Sequence, residues 1–317
     1  MSVLRVGVVG VGVMGADHAA RLAHRVAGAA LVAVSDPDMG RAAAVASAFA
    51  GVRVVASPLA LIADSGVDAV LLASPGSAHE EQVLACLSFG KPVLCEKPLT
   101  LSAASSLRLV AAERALGRRL VQVGFMRRFD PSYTRLQSSL SSIGRLLVLH
   151  NVHRNVSAPA SFRSEMIVRD SLVHEVDVAR WLFADEIASV SVLAGLSSRS
   201  APSGVRDPLV AVFRMAGGGI VTTEVFINSQ TGYEVRCEAV GERGSLFVDA
   251  PRPLPADFLS RFASAYDLEV QAWVSSCVEG RAAGPGVWDG YAATTASEAG
   301  VRSLQNGGEP VAVETPS

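Results

Sequence analysis

The sequence predicts an α/β protein of two domains: a doubly wound parallel sheet over residues 1–123, then an α+β domain over 124–317 with a large, mostly antiparallel open sheet. Three observations carry this reading. From residue 3 to about 125, short Val- and Leu-rich runs alternate with Ala-rich segments of helical length, the pattern of repeated strand-helix-strand units. After residue 189 the pattern changes to strand-length segments separated by turn residues. The 317 residues also exceed the roughly 250–300 that one core usually sustains.

In order, strands are expected at Leu4–Val9, Ala30–Ser35, Val52–Val55, Ala69–Ala73, Pro92–Cys95 and Leu120–Val123. Helices fit between them at Gly15–Val26, Arg41–Ala50, Pro58–Asp64, Ser77–Phe89 and Ser102–Leu116. Beyond Phe129 come a helix at Pro131–Leu140, a strand at Arg145–His153 and a helix from Asp170 to Phe183. Five further strands, Ser189–Leu193, Leu209–Met215, Ile220–Ile227, Tyr233–Val240 and Ser245–Val248, are joined by turns at Ala216–Gly219 and Gly241–Gly244 and read as an antiparallel meander. Ala201–Asp207 reads as a surface loop and residues 306–317 as a fraying end. Helices in this pattern cover only one face of the second sheet, so its bare face is expected to pair with another subunit in a dimer or tetramer.

Half of the residues are hydrophobic and 18% are charged, with a formal net charge of −2 and no long run of one sign. No basic stripe offers itself to nucleic acid or anionic lipid, which leaves small, neutral or mildly charged ligands. Cys86, Cys95, Cys237 and Cys277 lie far apart and form no Cys-x-x-Cys pair, as expected of reduced thiols. A strand pattern begins within three residues of Met1 without a secretion signal, and no apolar run approaches the roughly 20 residues of a membrane span. A cytoplasmic protein is expected.

Gly10, Gly12 and Gly15 stand at G-x-G-x-x-G spacing between the first strand and a helix. There they allow a tight turn, close approach of backbone amides to a pyrophosphate, and strand-helix contact, which marks the first sheet as Rossmann-type. The next strand ends at Asp36, where a carboxylate can accept from ribose hydroxyls. With Asp38 close behind and no arginine before Arg41, a 2′-phosphate would be repelled, so NAD is expected rather than NADP. Asp36–Gly40 equally suits a plain turn.

Two features point to proton transfer. Asp170, His174 and Asp177 share one face of a helix, so a carboxylate can hold the imidazole as a general base. Lys97 follows the fifth strand in Glu96-Lys97-Pro98, at the strand end where open α/β sheets bind ligands, and a lysine before proline is compatible with a cis peptide. Taken singly, Lys97 reads as a solvated cation and His174 as a structural histidine. A metal held by His153, His174, Asp170 and Asp177 is disfavoured, because no His-Glu-x-x-His or cysteine pair is present, and no metal is expected.

With these motifs, Gly124-Phe-Met-Arg127-Arg128-Phe-Asp130, His153-Arg154-Asn155, Gly232-Tyr233 and Trp288-Asp-Gly-Tyr291, the chain resembles the inositol dehydrogenase branch of the glucose-fructose oxidoreductase family over nearly its whole length. The resemblance implies NAD-dependent oxidation of one ring hydroxyl of a cyclitol, myo-inositol to scyllo-inosose, with Lys97, Asp170 and His174 as catalytic residues. It implies cofactor contacts from Gly10, Gly12, Val13, Met14, Asp36, Ser74, His79 and Glu96, and contacts to a polyol substrate from Arg127, Asn155, Asp177 and Tyr233. Phe129 and Val156 depart from the family pattern, where tyrosine and proline are usual, and leave the ring substrate open. A sugar, amino sugar or aminocyclitol substrate, a non-catalytic NAD-binding regulator and redox-assisted glycoside cleavage are the competing readings.

Overall fold

The computed structural model describes residues 3–314, which divide into two compact units. The division is not into consecutive halves. The first unit holds Met1–Phe125 together with Tyr266–Tyr291, and the second holds Met126–Ala265 together with Ala292–Ser317.

The first unit opens with β1 (Leu4–Val9), α1 (Val13–His24), β2 (Ala29–Ser35), α2 (Met39–Ser47), β3 (Arg53–Val54), α3 (Pro58–Ala63), β4 (Ala69–Leu72), α4 (Gly76–Ser88), β5 (Val93–Glu96), α5 (Ala103–Ala115) and β6 (Val121–Gly124). All six strands are parallel, in the order β3-β2-β1-β4-β5-β6, so the chain winds outward in both directions from β1. Buried apolar runs such as Ala69–Leu72 suit strands covered on both faces. Side-chain caps fix the helix starts. Asp38 accepts from Arg41 N–H at 3.0 Å, so α2 begins at Met39 rather than at Arg41, and Ser57 and Ser102 cap α3 and α5.

The second unit begins with a 3₁₀ turn (Met126–Phe129), α6 (Pro131–Ser139) and β7 (Leu146–Arg154). Then α7 (Ser164–Met166) runs through a π-helical segment (Ile167–Leu172) into α8 (Val173–Phe183), followed by β8 (Ile187–Ala194), β9 (Leu209–Met215), β10 (Ile220–Phe226), β11 (Glu234–Gly241) and β12 (Gly244–Val248). With a last short strand, β13 (Val311–Ala312), the seven-stranded sheet has the order β12-β11-β7-β10-β9-β8-β13. It is not the simple meander expected. β7 lies between β10 and β11, parallel to β10 with Ile220 opposite Val148, and antiparallel to β11. Alternation along β9 turns Leu209, Ala211, Phe213 and Met215 inward. On the opposite face Leu193, paired with Val210, and Phe247 are exposed.

Residues after 249, to which the sequence reading assigned no element, form α9 (Phe258–Arg261), α10 (Ala263–Glu279), α11 (Val287–Gln305) and β13 (Val311–Ala312). Val270, Trp273 and Val274 of α10 are buried with Val6, Leu22 and Leu31 in the core of the first unit, which is why its last segment is far away in sequence. The expected fraying of residues 306–317 does not occur at Val311 and Ala312, which pair with Val190 and Ser189 of β8; residues 315–317 lie outside the described residues. Among the described residues no helix is long and apolar enough to cross a membrane.

Candidate active site

The glycine loop is built by contact. Gly10 has φ 79°, and a Cβ there would stand 2.6 Å from Ser74 N. A Cβ on Gly15 would fall 1.8 Å from Gly10 O, so the turn and the first turn of α1 touch backbone to backbone. Gly12 differs: nothing lies within 4 Å of its Cβ position. It is the N-cap of α1 with no side-chain cap, followed by Val13, 71% exposed, and half-buried Met14. Open space over uncapped N–H groups at a helix N-terminus fits a pyrophosphate.

Asp36 ends the neighbouring strand. Its Oδ2 accepts from Val11 N–H and its Oδ1 from Asp38 N–H, both at 2.8 Å, so backbone amides fix the carboxylate beside the glycine loop. Asp36 thus serves the turn and also faces the loop. No arginine precedes Arg41 in the sequence, but the first turn of α2 brings Arg41 itself back to 3.5 Å from Asp36 Oδ2 and 3.3 Å from Asp38 Oδ2. Two carboxylates still outnumber that one guanidinium, which keeps the position unfavourable for a 2′-phosphate.

Ser74 and His79 tie this edge together. Ser74 Oγ donates to Gln82 Oε1 at 2.6 Å, while His79 lies between two carbonyls, Nδ1 2.9 Å from Pro98 O and Nε2 2.8 Å from Ser74 O. Burial pushes the His79 pKa down against the pull of those carbonyls. Glu96, expected at the cofactor, is a buried anchor: Oε1 lies 2.8 Å from Nε2 of buried His18, and Oε2 accepts from Lys97 N–H at 3.2 Å. Burial works to raise the Glu96 pKa, but His18 and the Lys97 charge outweigh it and hold the carboxyl below its usual value. Lys97 itself is half-buried, and its bond to Pro98 is cis.

In the second unit Asp170 sits half-buried in the π-helical segment, and His174, buried, in the first turn of α8. A π-turn inside a helix is frequent at functional sites, since it re-aims side chains that an α-helix would stagger. The His174 ring lies 6.2 Å from that of His153 on β7. His153 Nε2 is 3.3 Å from the Tyr233 hydroxyl, whose pKa burial pushes up to about 12. Asn155, just beyond β7, has its backbone bonded to Phe226 and Ser229, and its buried Oδ1 has no hydrogen-bond partner among the described residues.

Arg127 and Asp177 are engaged differently from the expectation. The Arg127 guanidinium forms an ion pair with Glu175 and lies 3.3 Å from His153 Nδ1, enclosed at 1% exposure. Asp177 accepts three hydrogen bonds from Arg128 at 2.6–3.1 Å. The dipeptide Arg127-Arg128 thus answers two acids of α8, and Glu175, not singled out from the sequence, joins Arg127 to His153. Its signal was the Glu beside His174. Among the described residues no group of three or more His, Cys, Asp or Glu is arranged to hold a metal ion.

Residues 4–125 match the oxidoreductase family with an NAD-binding Rossmann fold, and residues 141–247 match the GFO/IDH/MocA C-terminal domain. The chain belongs to the GFO/IDH/MocA family. Inositol 2-dehydrogenase of Mycolicibacterium smegmatis is 48% identical across 99% of this chain and 97% of its own length. Inositol 2-dehydrogenase 1 of Saccharopolyspora erythraea is 51% identical across 98% and 96%. Myo-inositol dehydrogenase of Lactobacillus casei, solved with NAD(H) and myo-inositol, superposes with a TM-score of 0.95 at 33% identity, covering 99% of this chain and 98% of that one. As a GFO/IDH/MocA protein the chain is an NAD-dependent oxidoreductase, and the open cradle at Gly12 with Asp36 beside it fits that cofactor.

Proposed function

We propose that this protein is an inositol 2-dehydrogenase that oxidises myo-inositol to scyllo-inosose. Identity of 48–51% with inositol 2-dehydrogenases over almost the full length carries the reading. The polar group of His153, His174, Tyr233 and the unpartnered Asn155 Oδ1 supports it, since a ring bearing many hydroxyls needs many hydrogen-bond partners.

Held by the Gly10–Gly15 loop and Asp36, NAD would supply the acceptor for the hydride of the carbinol carbon. His174 takes the hydroxyl proton, Asp170 orients the imidazole and favours its protonated form, and the Lys97 ammonium holds the reacting oxygen as negative charge develops on it. Asn155 and Tyr233 bond directly to ring hydroxyls, while Arg127 and Asp177 act through the ion pairs that fix the surrounding side chains.

A panel of inositol isomers and hexose derivatives, read by NADH absorbance, tests the reading. Turnover of myo-inositol is expected. Turnover of a hexose derivative with none of any inositol isomer would refute it. The exposed pair Leu193 and Val210 on β8 and β9, with Phe247 exposed on β12 at the other side of the sheet, supports a homo-oligomer formed through this sheet face, and a monomer by light scattering would remove that part; the reading also places the protein in the cytoplasm.

A further inference from the structure

A cavity of about 220 Å³ opens in the first unit at the N-terminal ends of β5 and β6. Gly10, Ser74 and Glu96 mark the other end of that parallel sheet, so the cavity is separate from the dinucleotide loop. Arg118, Arg119 and Arg281 line it. Arg118 Nη2 donates to Gly90 O at 3.4 Å and Arg119 Nη2 to Gly284 O at 3.0 Å. Among the described residues neither guanidinium meets a carboxylate, whereas Arg281 pairs with Glu279.

Both guanidiniums are seated on glycine. A Cβ on Gly90 would stand 2.8 Å from Arg118 Nη2, and one on Gly286 would stand 2.6 Å from Arg119 Nη2. Backbone carbonyls and missing side chains therefore hold two uncompensated cations at the cavity, without the carboxylates that usually fix an arginine. The lining also includes Gln122, 3% exposed, and Trp273, 2% exposed. Gln122 Oε1 and Nε2 and Trp273 Nε1 have no hydrogen-bond partner among the described residues. These atoms are buried in the wall, so it is the guanidinium groups that give the cavity its polar character.

We propose that this cavity is a second binding site, which takes a small phosphorylated metabolite. Guanidinium forks match phosphate oxygens bidentately and remain charged at any physiological pH. The volume equals about seven waters at ~30 Å³ each, room for a phosphoryl group on a three- or four-carbon polyol and too little for a dinucleotide.

The test uses the full chain, with inorganic phosphate and glycerol 3-phosphate as probes and sodium chloride at matched ionic strength as control, read by calorimetric titration and thermal unfolding. Saturable binding of glycerol 3-phosphate is expected, tighter than inorganic phosphate, with no response to chloride. Arg118→Gln with Arg119→Gln should weaken it by about tenfold or more while NAD affinity is unchanged. Arg281→Gln, on a side chain 77% exposed, leaves the fold intact and should weaken it in the same direction. The proposal is overturned by no saturable binding of the ester below about 10 mM, by inorganic phosphate binding alone, or by equal affinity in the variants.

Discussion

Glu175→Gln removes the charge that faces Arg127 inside the second unit. Both side chains are almost wholly enclosed, at 1% and 2% exposure, so water cannot replace what is lost. Burial works to raise the Glu175 carboxyl, but the Arg127 charge and then His153 more than offset it and hold its pKa below the usual value. Stranding a buried guanidinium costs about 3–5 kcal/mol, because the amide keeps a hydrogen bond and cannot keep the charge. At roughly 2–4 °C per kcal/mol for a unit of this size, Tm should fall by about 6–20 °C. A folded pKa below the unfolded one means that the contribution is complete above the unfolded value of about 4.3 and is lost as pH falls through the folded value. The gap between wild type and variant should therefore be flat around pH 7 and narrow only in acid below about pH 4. Thermal and urea unfolding at both pH values measure it. A loss under about 1 kcal/mol, or a gap that widens on acidification, would refute the argument. Combining Arg127→Met with Glu175→Leu should recover much of the loss; a double variant as unstable as the single would place the cost in packing instead.

Lys97→Ala should cut turnover by about 10²–10⁴ while NAD still binds, as measured by NADH production and cofactor titration; near wild-type turnover would remove Lys97 from the chemistry. Asp36→Ala leaves Arg41 facing the ribose position with only Asp38 as counter-charge, so NAD should weaken more than NADP; an equal fall in both affinities would reduce Asp36 to a turn residue. Gly15→Ala sets a methyl 1.8 Å from Gly10 O, which the loop relieves only by opening. A destabilisation of about 1–3 kcal/mol or more together with weakened NAD binding is expected, and unchanged affinity by fluorescence titration would contradict the backbone contact.

The dinucleotide half was legible because its signals are local. Strand-to-helix alternation, the spacing of Gly10, Gly12 and Gly15, and an acid at the end of β2 all lie within a few turns of what they determine. The α10 pattern was also written in the chain, since Tyr266, Val270, Trp273, Val274 and Cys277 recur at helical spacing. Its destination was not, because nothing local says which core an apolar stripe will fill. The same limit explains the placement of β7 beside β10, a parallel pairing across about seventy residues. At the site, Lys97, Asp170 and His174 stand out by residue type and spacing, signals that are local to the chain. Which acid each arginine of the Arg127-Arg128 pair answers depends on side-chain direction across separations of 48 and 49 residues, and no motif records that.

The interleaved order of the two units has a consequence for biogenesis and for exchange among relatives. A ribosome must deliver Val270, Trp273 and Val274 before the apolar patch formed by Val6, Leu22 and Leu31 can be sealed, so the nucleotide-binding half cannot mature as soon as it emerges. A chimera that transplants only the first 125 residues would marry one protein's sheet to another's sealing helix, and a working exchange of cofactor preference must carry residues 266–291 along with it.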